Sequence, residues 1–189
     1  MINQTLFAVA TSDQRPMLCG ALFKITDGNL KIVACDGNRL AIREKESELV
    51  SDGEVNVKFN LPGKAVLELL KNLKDTEDEV TVFVSRKNAV FVFDGYTFFT
   101  RLIEGEYLEY ERFIPKESKI FVTINTEQYI KSLERASLVS EDKSVGTARS
   151  YVKCSFSENE LKITSNSANG RVYDEVKIEK VGDDLDIGF

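Results

Sequence analysis

Apolar and polar residues alternate along most of this chain with the period of two that is typical of β-strands. The alternating segments in the first part of the chain are residues 20–25, 30–34, 39–44, 80–84, 89–93 and 96–103. Those in the second part are residues 120–124, 151–156, 161–165, 173–179 and 185–189. Short stretches rich in Gly, Asn and Asp separate neighbouring segments, which favours hairpins between adjacent strands. The pattern therefore predicts antiparallel sheets.

Three segments have the apolar spacing of a helix instead. Residues 3–12 predict a short helix that Asp13 and Pro16 stop, and residues 125–139 predict another, with Asn125 at its start in a capping box. The clearest helix is predicted at residues 62–74, where proline suits the first turn. Its apolar face consists of Val66, Leu69, Leu70 and Leu73. The charged stretch at residues 46–54 predicts a solvated loop or a strand edge rather than an active site.

One part of the pattern repeats. Residues 30–42, LKIVACDGNRLAI, have a diverged counterpart at residues 161–172, LKITSNSANGRV, 131 positions further on. The predicted strands around both copies follow the same order, which indicates a repeated structural unit. No counterpart of the 62–74 helix follows the second copy, so we expect one unit and part of another, with the boundary near residue 118.

Composition limits the class of protein. The 189 residues are 42% hydrophobic, which is enough for one good core or for one and a half smaller ones. No apolar run approaches the roughly 18 residues that span a bilayer, and the first residues do not resemble a secretory leader, so we expect a cytoplasmic protein. Cys19, Cys35 and Cys154 are widely spaced, odd in number and lie in strand-like segments, which favours reduced core thiols over disulfides.

The sequence also limits the chemistry. It contains no histidine and no paired cysteines, so transition-metal sites lack their usual ligands and histidine-dependent catalysis is excluded. We therefore expect no metal and no cofactor. The net charge of −6 argues against binding nucleic acid by bulk charge. It does not argue against cations gathered on one inward surface, or against a protein that encircles DNA.

Five segments, in their order along the chain, resemble the bacterial beta sliding clamp family, the beta subunits of DNA polymerase III. They are RPMLCGALFKI, IVACDGNRLAI, PGKAVLELLKNL, LIEGEYLEYERFIP and the stretch from LKIT to DIGF. The resemblance implies an α+β DNA-clamp fold built from repeated units of helix plus antiparallel sheet. It also implies that residues 1–117 form the clamp middle domain without its first strand, and that residues 118–189 form the N-terminal half of the third domain.

The same resemblance implies a non-catalytic processivity factor for DNA replication. Such a clamp is a head-to-tail homodimeric ring that encircles duplex DNA regardless of its sequence, with which a clamp loader is associated. It recruits polymerases and repair proteins through a cleft that binds short peptides. The first of the three clamp domains would lie outside this chain, so we expect the chain alone not to close a ring.

Site residues are carried over from the family by local alignment. The peptide-binding cleft would receive Leu18, Cys35, Gly37, Asn38, Arg39, Leu40, Leu108, Arg112 and Phe113. The apolar members suit peptide side chains, and the two arginines suit backbone carbonyls or acidic groups. Asn38 replaces a histidine and Cys35 a threonine of some family members. The alternative is that the apolar residues simply fill the core.

Two further surfaces follow from the resemblance. The residues expected to face DNA are Arg15, Lys64, Lys71, Lys74, Lys131 and Arg135, through contacts to phosphate. Each of the lysines is equally typical of an ordinary solvated surface. Leu138 and Val139 match an apolar pair at the ring-closing interface, and the alternative is that Leu138 packs beneath Tyr151.

Two other function classes remain open at this point. A carboxylate-dependent hydrolase is one, for which the candidate residues are Asp36, Glu104, Glu106, Glu109 and Glu111. No phosphate loop, nucleophile elbow or paired acidic metal motif supports it. The other is a generic protein-interaction module of α+β repeats. Binding of a clamp-specific peptide separates the clamp from both.

Overall fold

The computed structural model of the chain consists of two compact units, Met1–Ile114 and Pro115–Phe189, here called the N-terminal and C-terminal units. The structure describes residues 1–26, 28–46, 53, 55–74, 76, 78–140, 151–167 and 170–188. No helix within these ranges is long and apolar enough to cross a membrane.

The described part of the N-terminal unit contains seven strands and one α-helix. The strands are β1 (Gly20–Thr26), β2 (Asn29–Cys35), β3 (Leu40–Glu46), β4 (Asn56–Pro62), β5 (Thr81–Val84), β6 (Asn88–Phe93) and β7 (Tyr96–Arg101), and the helix is α1 (Gly63–Asn72). The first four strands form an antiparallel sheet in the order β3-β2-β1-β4, and the last three form a second sheet in chain order. The predicted hairpins are therefore confirmed.

Strand β4 was not predicted from the sequence. Its alternation is short, because Asn60 occupies a position that is 4% exposed and Pro62 ends the strand just before the helix. Tertiary pairing with β1 over seven residues, from Gly20 with Pro62 to Thr26 with Asn56, holds it in the sheet. Long-range pairing here outweighs a weak local pattern.

The core of this unit lies between the two sheets. Phe23 of β1 and Phe59 of β4 are paired across the first sheet and their rings stack with centroids 5.4 Å apart. Phe91 of β6 joins the same cluster from the second sheet, and Val66 and Leu69 join it from α1. Since both helix residues are at most 1% exposed, the predicted apolar face of α1 is confirmed at its centre.

The helix predicted at residues 3–12 is wrong. The structure has two 3₁₀ turns there, Ile2–Gln4 and Leu6–Ala8, and Val9 is already extended. Thr5 lies between them, fully buried, and its hydroxyl donates to the carbonyls of Met1 and Ile2 at 3.3 and 3.2 Å. This local bonding competes with the α-helical pattern and favours short turns.

After β7 the chain crosses the face of the first sheet that is opposite the core. The Ile103 N–H donates to the Asn60 carbonyl at 2.9 Å, beside the edge strand β4. Further along, Tyr110 is 7% exposed and its phenol lies beside Lys31 of β2. The strand predicted at residues 96–103 thus ends two residues early, because the chain leaves its own sheet to cover the other one.

The C-terminal unit repeats this topology. Its strands are β8 (Phe121–Ile124), β9 (Val152–Phe156), β10 (Glu160–Ser167), β11 (Gly170–Val181) and β12 (Leu185–Gly188), and its helix is α2 (Thr126–Ser140). The sheet order is β12-β9-β10-β11-β8. Four of these strands, in the order β11-β10-β9-β12, reproduce β3-β2-β1-β4, so the predicted repeat is confirmed.

Helix α2 begins and packs as its sequence predicts. The Asn125 side-chain oxygen accepts the Gln128 N–H at 3.0 Å, which satisfies one of the free amides of the first turn. Ala136 is fully buried and joins Leu161 and Ile163 of β10 in the core, and Leu133 packs against that core.

Part of two predicted segments lies outside the described residues. Of the loop predicted at residues 46–54 only Glu46, at the end of β3, and Gly53 are described. Of residues 169–170, which lie between the strands predicted at residues 161–165 and 173–179, only Gly170, at the start of β11, is described.

Candidate functional site

A cavity of about 310 Å³ opens beside the turn that joins β2 to β3. It is lined by Arg15, Leu18, Cys35, Gly37, Asn38, Arg39, Leu40, Leu108, Tyr110 and Phe113. Eight of the nine residues assigned to the peptide-binding cleft by sequence therefore lie around one cavity of the N-terminal unit. Arg112 is the residue that does not line it, and Arg15 and Tyr110 are additions. We call this space the cleft cavity.

The turn at the edge of the cleft cavity is organised by Asp36. One carboxylate oxygen accepts the backbone N–H groups of Asn38 and Arg39 at 3.0 and 2.8 Å. The other accepts the Arg39 guanidinium, at 2.9 Å from Nε and 2.6 Å from Nη2. These bonds to the charged form, first from the Arg39 backbone and then from its side chain, hold the pKa of Asp36 below its usual value. Asp36 thus stays ionised and keeps Arg39 at the mouth.

Arg39 also contacts an aromatic ring. Its guanidinium carbon lies 5.8 Å from the centroid of Phe7, within the range of a cation–π interaction. Phe7 is 57% exposed, so it extends the apolar surface beyond the mouth of the cleft cavity. Sequence reasoning missed Phe7, because residues in the 3₁₀ turn and in the β2–β3 turn meet only in the folded unit.

Arg15 occupies the cavity wall. Its Nε donates to Asp13 at 3.1 Å, and a Cβ built on Gly37 would lie 3.5 Å from its Nη2. Gly37 has a φ of 92°, a conformation that glycine adopts without strain. The turn therefore brings Arg15 and Arg39 to one mouth, where each guanidinium is paired with a neighbouring carboxylate. The DNA contact assigned to Arg15 stays a prediction.

The inner wall of the cleft cavity is apolar. Leu18, 1% exposed, lies within the 3₁₀ turn Pro16–Cys19, and Leu40 is paired directly with Cys35 across the β2–β3 hairpin. Phe113 is 71% exposed and forms the outer rim. The alternative that these residues only fill the core suits Leu18 but not Phe113.

The 3₁₀ turn Tyr110–Phe113 explains why Tyr110 lines the cleft cavity and Arg112 does not. In a 3₁₀ turn residues three apart lie on the same side, so Tyr110 and Phe113 face the cavity together. Arg112 points elsewhere, and its guanidinium pairs with Glu109. The apolar residues three apart were the sequence signal that would have identified Tyr110.

Burial also tunes the phenol next to the cavity. Desolvation raises the pKa of Tyr107 to about 12, with a smaller contribution from the neighbouring Cys35 thiol. The Cys35 sulfur accepts the Gly37 N–H at 3.4 Å.

All three cysteines are free, but only Cys154 is fully buried, while Cys19 and Cys35 are half-buried. The prediction of core thiols is therefore correct for Cys154 alone.

The predicted DNA-facing cations of the helices are exposed, and most form ion pairs. Lys71 lies 2.8 Å from Glu68 and Lys131 lies 2.6 Å from Glu127, each within its own helix. Arg135 of α2 reaches Asp174 on another element. The helix predicted to extend to residue 74 ends at Asn72, so Lys74 lies beyond α1, and it pairs with Asp94 at 2.5 Å. Lys64 forms no ion pair with any residue that the structure describes.

Leu138 is 78% exposed and therefore does not pack beneath Tyr151, which is itself 62% exposed. The alternative of a tucked helix end is wrong. Val139 beside it is half-buried. The ring-interface assignment of this pair stays a prediction.

The five candidate catalytic carboxylates do not converge. Four of them form separate ion pairs, Asp36 with Arg39, Glu104 with Lys87, Glu106 with Lys58 and Glu109 with Arg112. Within the described ranges no group of three His, Cys, Asp or Glu side chains is placed to hold a metal. The geometry therefore does not support the hydrolase alternative.

Two protein-family models match this chain. The model of the DNA polymerase III beta subunit central domain matches residues 1–109, and the model of its C-terminal domain matches residues 111–189. The chain belongs to the DNA polymerase III beta subunit family. This membership confirms the predicted family.

Individual relatives agree with the family models. The beta sliding clamp of Bacillus subtilis is 32% identical over 191 residues, which cover 100% of this chain and 49% of the relative. The crystal structure of the sliding clamp from that organism matches with a TM-score of 0.86 over 100% of this chain and 49% of its own. The chain therefore spans about half the length of the curated relatives it matches.

Two other solved structures extend the comparison. A putative DNA polymerase III beta subunit from Eubacterium rectale matches with a TM-score of 0.88 and 28% identity, over 100% of this chain and 50% of its own. The Pseudomonas aeruginosa sliding clamp bound to griselimycin matches with 0.84 and 29%, over the same shares. The predicted α+β clamp fold is confirmed.

Proposed function

We propose that this chain is part of a DNA polymerase processivity factor. Residues 1–117 would supply the middle domain of a sliding clamp and residues 118–189 part of its third domain. The clamp would encircle duplex DNA as a head-to-tail homodimer associated with a clamp loader. The observation that supports the proposal is the cleft cavity. Eight of the nine residues that the family alignment assigns to the peptide-binding cleft lie around it.

The cleft cavity suits an extended peptide segment. Its volume lies at the lower end of the roughly 300–1,000 Å³ that ligand pockets occupy, so it has room for apolar side chains rather than a large cofactor. Leu18 and Leu40 offer apolar contact inside, and Arg15 and Arg39 offer guanidinium donors at the mouth. Polymerases and repair proteins that carry such peptides are the proposed partners.

DNA contact is the second part of the proposal. Lys64, Lys71 and Lys131 are exposed on helices and would contact phosphate, which carries no sequence information. Contacts of this kind hold a duplex while allowing movement along it, as sliding requires.

A peptide titration tests the cleft. A fluorescent peptide from the clamp-binding segment of a polymerase should bind the chain, and Leu40→Asp should weaken binding by more than about tenfold because it places a charge in an apolar wall. Phe113→Ala should also weaken it. Phe99→Ala is the matched control, since Phe99 is 60% exposed on β7 and does not line the cleft cavity.

Arg112→Ala tests the one residue that the family alignment assigns to the cleft but that does not line the cleft cavity. The guanidinium of Arg112 is outside the cavity wall, so its removal should change peptide affinity much less than Leu40→Asp does. Peptide affinity that is insensitive to Leu40→Asp, or turnover of nucleotide or ester substrates, would contradict the proposal.

A further inference from the structure

Each of the two helices carries a glutamate one turn before a lysine expected to contact DNA. Glu68 Oε1 lies 2.8 Å from Lys71 Nζ in α1, and Glu127 Oε1 lies 2.6 Å from Lys131 Nζ in α2. All four side chains are exposed, by 49% to 76%. The same arrangement therefore occurs independently in both units.

The spacing places the glutamates within the cationic surface itself. Residues three and four apart share a helix face, so Glu68 lies between Lys64 and Lys71. On α2 the charges are Glu127, Lys131, Glu134 and Arg135, which sum to zero. A surface meant to bind phosphate as tightly as possible would not carry these carboxylates.

We propose that Glu68 and Glu127 compete with DNA phosphate for Lys71 and Lys131, and thereby keep the affinity of each helix for duplex DNA low. The inference rests on the proposed DNA-facing role of the helices. It assigns to the glutamates a role of their own, which is to limit affinity in a protein that must move along its ligand.

The strength of the pairs makes such competition possible. An exposed ion pair is weak, so a phosphate can displace the carboxylate and the lysine remains usable. The displaced carboxylate then attracts a cation from solution while the phosphate releases one. Net counterion release at that contact is close to zero, whereas an unpaired lysine gives the full release. Lysines with a carboxylate partner should therefore contribute little to the salt dependence of binding.

The ion pairs of Arg135 on α2 and of Lys74, which lies just after α1, have a different character. Asp174 lies on β11, and Arg135 binds both it and the Ser132 hydroxyl, at 3.1 Å from the latter, so this pair fastens α2 to the sheet. Lys74 similarly reaches Asp94 in the turn between β6 and β7. By contrast, the carboxylates of Glu68 and Glu127 bond no other residue in the described ranges.

The test uses the 189-residue chain with the variants Glu68→Gln, Glu127→Gln and the double variant. Glutamine keeps the size and the helix propensity of glutamate and removes only the charge. Affinity for a fluorescent duplex is measured by anisotropy at roughly 50 to 200 mM salt. Each substitution should tighten binding about two- to fivefold at low salt, and should steepen the slope of log K against log salt by about 0.9.

Glu179→Gln is the matched control. It changes the net charge equally, but Glu179 is exposed on β11, on the face opposite Val176 and Ile178, which pack toward α2. It should leave both the affinity and the salt slope almost unchanged. Lys64→Ala reports on DNA contact by α1, because this lysine has no carboxylate partner among the described residues, and it should weaken binding.

The outcomes separate the two proposals. If Lys64→Ala weakens binding but the glutamine variants behave like Glu179→Gln, the competition is disproved and DNA contact stands. If the chain and every variant fail to bind duplex DNA at low salt, the proposed DNA contact and the competition are both disproved. Tighter binding with a steeper salt slope in the helix variants alone supports the inference.

Discussion

At the scale of single residues, short-range bonds define the mouth of the cleft cavity. Asp36 bonds the backbone of its own turn and the Arg39 side chain at once, so the conformation of the turn and the position of the cation depend on the same carboxylate. The Asp13 carboxylate likewise accepts both the backbone N–H of Arg15, at 2.7 Å, and the side-chain Nε of Arg15. Each arginine is thus held ready at a small entropic cost to a ligand.

The raised pKa of Tyr107 makes the stability of the folded chain depend on pH in the alkaline range. An unfolded tyrosine loses its proton near pH 10, whereas the pKa of the folded Tyr107 is raised to about 12. Between these values the unfolded state holds fewer protons, so the free energy of unfolding should fall as pH rises. Denaturant titrations at several alkaline pH values should show this decline. Tyr107→Phe should show a smaller decline, because the pKa values of Tyr110, Tyr129 and Tyr173 are also raised in the folded chain. An equal decline in both proteins would contradict the assignment.

At the scale of elements, the close approach of three segments depends on Gly20. A Cβ at this position would lie 2.6 Å from the Asn60 side-chain oxygen, 2.6 Å from the Leu61 carbonyl and 2.7 Å from Ile103. These groups belong to β4 and to the segment that crosses the sheet toward the cleft cavity. Strand β1 therefore needs a residue without a side chain at its start.

Gly20→Ala should reduce the free energy of unfolding by about 1–3 kcal/mol, because the extra methyl overpacks a filled site. Gly53→Ala is the matched control, since its Cβ would have no described atom within 4 Å. It should be neutral or slightly stabilising. Equal effects of the two substitutions in denaturant titrations would show that the contacts around Gly20 relax easily.

At the scale of the whole molecule, the chain has two separate cores. Leu61 is fully buried in the cluster of the N-terminal unit, and Ile163 is fully buried in that of the C-terminal unit. The two clusters share no residue, so the cores are independent of each other in composition.

Ile163→Ala should destabilise the C-terminal unit by about 2–5 kcal/mol through the cavity it leaves. Hydrogen exchange should then accelerate in β9–β11 and stay unchanged in β1 and β2. Leu61→Ala should give the opposite distribution. Uniform acceleration across both units in either variant would indicate a single cooperative fold.

The sequence by itself determined the features that depend on neighbours along the chain. Alternation predicted the hairpins, the 3.6-residue spacing predicted α1, and Asn125 marked the start of α2, because each of these signals acts within a few residues. Resemblance to a family added most of the residues around the cleft cavity.

Only the tertiary structure decided which distant groups meet. The pairing of β4 with β1, the entry of Arg15 and Tyr110 into the cleft cavity and the contact of Phe7 with Arg39 join separate segments. The ion pairs of Lys74 with Asp94 and of Arg135 with Asp174 likewise join residues 20 and 39 positions apart. Such contacts depend on how the sheets and helices pack, and no local pattern of apolar and polar residues specifies them.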